Sequence, residues 1–120
     1  MKVLLVDDEV EFVSTLAERL SIRGLDVEWV TSGAEALQKV EHQFFDIAIL
    51  DLKMPKVGGL ELKEKLLKKH PAMKFIFSTG YASEEDFNVI SKQIGEEFYL
   101  VKPLEIKILI EKINSVLNLN

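Results

Sequence analysis

Short apolar runs alternate along the chain with longer segments in which apolar residues recur every three or four positions. The short runs cover residues 3–6, 25–30, 47–50, 75–77 and 98–101. Most are unbroken rather than alternating, as strands covered on both faces of a parallel sheet would be. Helical patterns lie between them. The first spans about 9–23, with Val13, Leu16, Ala17 and Leu20 on one face and Gly24 ending it. The second opens at Ser32, with Glu35 at capping-box spacing. The third covers about 60–69 and stops before Pro71. The fourth opens at Ser83, places Glu84, Glu85 and Asp86 in a first turn where acids suit the helix dipole, and ends at Gly95. The fifth follows Pro103 and turns Ile106, Leu109, Ile110, Ile113 and Leu117 inward, leaving Leu104 and Ile108 on the other side.

Five strand–helix units predict an α/β fold, a doubly wound five-stranded parallel sheet of order 2-1-3-4-5 with helices on both faces. The 120 residues are enough for one domain, 1–120, and the last helical pattern reaches nearly to Asn120, so no effector segment is expected here. Apolar residues make up 48% and charged residues 29%, a globular balance. With 20 acidic and 15 basic residues the net charge is -5, a poor match for wrapping nucleic acid. There is no cysteine, which excludes a disulfide scaffold, a thiolate metal site and a cysteine nucleophile. The longest charge-free stretch, 75–83, is too short to span a membrane, and residues 1–8 are too short and too acidic for a signal peptide. The expected location is the cytoplasm.

Ligands of open parallel sheets bind outside the carboxyl ends of the strands. Asp7 and Asp8 follow strand one, Asp51 follows strand three, Ser78, Thr79 and Gly80 follow strand four, and Lys102 and Pro103 follow strand five. In the predicted order these strands are neighbours, so three carboxylates, a hydroxyl and an ammonium share one rim. Each has an ordinary explanation when taken singly. Asp8 with Glu11 has capping-box spacing, Asp51 and Thr79 suit turns, and Lys102 suits a solvated surface. Together they suit phosphoryl transfer to a carboxylate. Crowded carboxylates call for a hard cation such as Mg²⁺, Lys102 and Thr79 can meet the charge on the transferring group, and Asp51 on the middle strand is placed to be the nucleophile.

The segments 3–9 (VLLVDDE), 49–55 (ILDLKMP), 78–81 (STGY) and 99–103 (YLVKP) together resemble the receiver domain of bacterial two-component response regulators, the CheY-like fold. The likeness runs the length of the chain with the family's spacing. It implies that Asp51 accepts a phosphoryl group from a sensor histidine kinase or histidine phosphotransfer protein. It also implies that Asp7, Asp8, Asp51 and the Lys53 backbone carbonyl hold Mg²⁺, and that Thr79 and Lys102 reach the phosphoryl oxygens. Gly80 is expected to leave room beside the phosphoryl group. Tyr99 takes the switch aromatic position and turns inward with Thr79, and Lys102-Pro103 is a candidate cis peptide. Lys53 and Tyr81, each two residues beyond a site residue, take positions that tune phosphoryl hydrolysis. The family often has Asp-Gly where this chain has Gly58-Gly59. The likeness further implies readout through the face of helix four, strand five and helix five, by a downstream protein or by self-dimerisation, and Leu104 and Ile108 mark such a face.

His42 and His70, near helix ends and without metal-ligand spacing, read as surface residues, and Trp29 as packing. The lysine-rich stretch 63–70 carries Glu61 and Glu64 at i,i+4 spacing to Lys65 and Lys68, a solvated helix face. Three other functions fit less well. A phosphatase with an aspartyl-phosphate intermediate would need an acid where Lys53 stands. A nucleotide-binding module would need a glycine-rich loop after strand one. A pure interaction domain would not require Asp8, Asp51, Thr79 and Lys102 together. The chain is expected to be a phosphoacceptor signalling domain, promoting its own phosphorylation and dephosphorylation, rather than an enzyme on another substrate.

Overall fold

A computed structural model describes residues 1–80 and 99–118. Five strands, β1 (Lys2–Val6), β2 (Asp26–Val30), β3 (Ile47–Asp51), β4 (Lys74–Thr79) and β5 (Tyr99–Val101), form one sheet. Every pair is parallel and the order is β2-β1-β3-β4-β5, the predicted topology. Helices α1 (Val10–Ile22), α2 (Gly33–His42), α3 (Gly59–Lys69) and a C-terminal helix (Ile106–Leu117) cover it. The expected helix at 83–95 and the first residue of the expected fifth strand, Phe98, lie outside the described residues.

The period of two along a strand explains why the apolar runs are unbroken. Val3 and Leu5 of β1 and Ile47 and Ile49 of β3 pack with α1 and the C-terminal helix. Their neighbours Leu4, Val6, Ala48 and Leu50 pack with α2 and α3 on the opposite face. Strand β3 is buried at all five positions. Strand β2, at the sheet margin, is not covered in this way, and Trp29 is 39% exposed rather than packed inside. Among the described residues no helix is long and apolar enough to cross a membrane.

The ends of the helices follow local chemistry. Gly24 takes φ +90 after α1, and the Gly24 and Leu25 N–H groups donate to the carbonyls of Ser21 and Leu20, a Schellman closure open to glycine. The Ser32 hydroxyl accepts the Glu35 N–H at 3.2 Å and opens α2 as expected. Asp8 does not cap α1; Glu9 holds the cap position without a side-chain cap. In the C-terminal helix the buried residues are Leu109, Ile113 and Val116, with Ile106, Ile110 and Leu117 half-buried. Leu104 also packs against this core instead of pointing outward, because the chain after Pro103 folds back over the sheet, while Ile108 is exposed as expected. His42 is exposed, but His70 is half-buried, with Nε2 2.7 Å from the Val40 carbonyl oxygen and its ring edge-on to Phe44.

Candidate functional site

Four strands deliver their ends to one rim. Asp7 leaves β1 with its N–H donating to the Val30 carbonyl at 3.2 Å. Its Oδ1 accepts the Glu9 N–H at 2.9 Å, an Asx-type turn that swings the chain into α1 and leaves the Asp7 carboxylate buried over the sheet. Asp8 is exposed beside it. Asp51 is the last residue of β3, opposite Ser78 of β4, and is only 4% exposed. Its Oδ1 accepts the Lys53 N–H at 3.2 Å. Asp7, Asp8 and Asp51 each offer a carboxylate oxygen, and the three oxygens lie within 4.8 Å of one another.

Lys102 follows β5, where its N–H donates to the Thr79 carbonyl at 2.8 Å, and its peptide bond to Pro103 is cis. The side chain, 9% exposed, places Nζ 2.7 Å from Asp7 Oδ2, 2.9 Å from Glu9 Oε1 and 3.7 Å from Asp51 Oδ2. The Phe12 ring lies beneath the ammonium, 4.6 Å from Nζ to the centroid. Thr79 is buried at the end of β4, and Tyr99, opposite Phe77, is buried in the α2–α3 side of the core. Tyr81 lies outside the described residues. A Cβ on Gly80 would meet only Lys102 Cδ, at an ordinary 3.7 Å, so packing among the described atoms does not demand glycine there.

Burial pushes the Asp51 carboxyl up to about 6, and the Asp7 charge adds to the rise, while the Lys102 ammonium works against it. For Lys102 burial disfavours the charged form, but bonds to Asp7 and Glu9 outweigh it and hold the pKa above the ordinary lysine value. The rim therefore carries more negative than positive charge in a poorly solvated place. Three hard oxygen donors at this spacing suit a divalent cation such as Mg²⁺, which would relieve the repulsion that raises Asp51.

The sequence-predicted residues Asp7, Asp8, Asp51, Lys53, Thr79 and Lys102 all meet at this rim, while Tyr99 opens β5 and is buried in the core. Three further residues belong to it. Glu9 and Phe12 hold the Lys102 ammonium from the far end of the sequence, a pairing without a linear signal. Gly59 is the third. A Cβ there would lie 2.6 Å from the Asp51 carbonyl oxygen, so the start of α3 presses directly on the strand end that carries Asp51. The Gly58-Gly59 pair close after Asp51 was the available clue.

The family model described as "Response regulator receiver domain" matches residues 3–114. The chain belongs to the response regulator receiver family. The Haemophilus influenzae homolog of the transcriptional regulatory protein CpxR is 35% identical over 117 residues, 97% of this chain and 50% of that protein. The chain spans about half the length of the curated relatives it matches. A CheY-like receiver domain from Methanospirillum hungatei superposes with a TM-score of 0.86 at 38% identity, over 98% of this receiver and 93% of that one. A response regulator from Burkholderia pseudomallei, solved with a phosphorylated aspartic acid, a calcium ion and citrate, is 30% identical with a TM-score of 0.81, over 92% of this receiver and 65% of that chain.

Proposed function

We propose that this receiver accepts a phosphoryl group on Asp51 from a sensor histidine kinase or a histidine phosphotransfer protein, and that the phosphorylated form engages its target differently. The observation that carries this reading is the placement of Asp51: a buried carboxylate at the end of the central strand, flanked by Asp7 and Asp8 and 3.7 Å from the Lys102 ammonium. An Asp51 carboxylate oxygen forms a bond to phosphorus as the phosphorus–nitrogen bond of the donor phosphohistidine breaks, and the departing imidazole keeps the electron pair. Lys102 and the Thr79 hydroxyl meet the charge on the transferring oxygens. Asp7, Asp8, Asp51 and the Lys53 carbonyl would hold Mg²⁺, which supplies charge neutralisation between the carboxylates and the incoming phosphoryl group. The burial that raises Asp51 keeps water from the acyl phosphate once it forms.

Thr79, drawn toward the phosphoryl group, then biases a two-state equilibrium in which Tyr99 reports the change, and the neighbouring face of β5 and the C-terminal helix reads it out to a downstream protein or a second copy. Exposed Val101 and Ile108 supply apolar area on that face. The test is intact-mass spectrometry after incubation with Mg²⁺ and a small phosphodonor. The wild type gains one phosphoryl group, and Asp51→Asn or omission of Mg²⁺ abolishes the gain. A wild type that stays unlabelled, under conditions that label another receiver, overturns the reading.

A further inference from the structure

We infer that Glu9 is a positioning residue that holds the Lys102 ammonium away from Asp51 and surrenders it when a phosphoryl group arrives; this rests on the function proposed above. The ammonium has three N–H donors. One donates to Glu9 Oε1 at 2.9 Å, Asp7 Oδ2 forms an ion pair with Nζ at 2.7 Å, and Asp51 at 3.7 Å is beyond hydrogen-bond reach. As Nζ shifts toward an oxygen of a phosphoryl group on Asp51, its contact to one of the two carboxylates must lengthen.

The two holders differ in what release would require. The Asp7 side chain is 5% exposed and gains no water on release. The Glu9 side chain is 62% exposed and rehydrates at once. Glu9 is therefore the partner that yields. Its backbone does not move in the exchange, because its N–H is fixed on Asp7 Oδ1 and its carbonyl accepts the Val13 N–H at 3.0 Å. Phe12, in the first turn of α1, gives the ammonium a surface along which to slide from one partner to the other.

Two variants separate this role from a general effect of negative charge near the rim. Glu9→Gln removes both the charge and the ion pair. Glu9→Asp keeps the charge but shortens the arm by one methylene, too short to hold Nζ. An exposed ion pair is worth about two- to fivefold in an equilibrium or rate. With Mg²⁺ saturating for each protein, both variants should take phosphoryl from a small donor about two- to fivefold faster at saturating donor, with the half-saturating donor concentration unchanged. A second readout needs no phosphoryl chemistry. In metal-free protein the Lys102 side-chain ammonium NMR signal should shift in both variants, while an Ile22→Ala control leaves it in place.

An increase with Glu9→Gln alone, or no increase in either variant, overturns the inference, as does an unmoved Lys102 signal. A wild type that takes no phosphoryl overturns the proposed function and the inference with it. A labelled wild type with unchanged variants overturns only the inference.

Discussion

Replacing Asp51 by asparagine should make the metal-free protein more stable at neutral and alkaline pH. An acid whose pKa is higher in the folded state binds its proton more tightly there. Its stabilising contribution is fully present below the unfolded value of 3.8 and is lost as the pH rises through about 6. Above that, the ionised carboxylate opposes folding. The distance from 3.8 to about 6 corresponds to an upper bound of about 3 kcal/mol, at about 1.4 kcal/mol for each tenfold change in proton affinity. Local relaxation and water entry in the folded protein reduce such a burial penalty, so we expect about 1–2 kcal/mol in practice. For a chain of this size that is a Tm increase of about 4–8 °C. The assay is urea or thermal unfolding of wild type and Asp51→Asn in chelator, at pH 8 and at pH 4. The gap should be open at pH 8 and nearly closed at pH 4, where folded wild type carries Asp51 protonated. Mg²⁺ at pH 8 should narrow it by stabilising the wild type through its complete carboxylate set. Equal stability at pH 8 without metal, or a gap that persists undiminished at pH 4, refutes the reasoning.

Lys102→Met should destabilise the metal-free protein by about 2–3 kcal/mol in chemical denaturation, since it leaves the buried Asp7 carboxylate uncompensated. Gly59→Ala should cost about 2–3 kcal/mol in the same assay because its Cβ meets the Asp51 carbonyl oxygen, whereas Gly58→Ala, 3.3 Å from the Leu52 carbonyl oxygen, should cost under about 1 kcal/mol. Lys53→Ala and Tyr81→Ala should each shorten the lifetime of the acyl phosphate in a dephosphorylation time course, by admitting water to Asp51; unchanged or slower loss in both would sink that role.

The parallel sheet was legible because unbroken runs such as 47–50 suit two-sided burial and the strand–helix alternation suits parallel pairing, and 2-1-3-4-5 is the natural doubly wound order for five such units. The rim was legible for a related reason: strand ends in such a sheet converge, so Asp7, Asp51, Thr79 and Lys102 could be placed together before any distance was known. What stayed hidden depends on side-chain direction. Nothing in the spacing says that Glu9 reaches back to Lys102, that Asp7 rather than Asp8 organises the entry to α1, or that Leu104 turns inward after Pro103. Trp29 was misjudged because a marginal strand lacks a neighbour on one side, and sequence alone does not reveal how far a helix shields it.

Strand β3, covered on both faces and hydrogen-bonded on both edges, has a further consequence. Its amides have no local route to solvent, so the hydrogens of Ile47–Asp51 should be among the last to exchange with deuterium, released only when the whole molecule opens. The carboxylate proposed to accept the phosphoryl group thus stands on an anchor that does not yield. Strain introduced at Asp51 cannot relax along its own strand and must be passed sideways, to the turn before α3, to the first turn of α1 and to the end of β4.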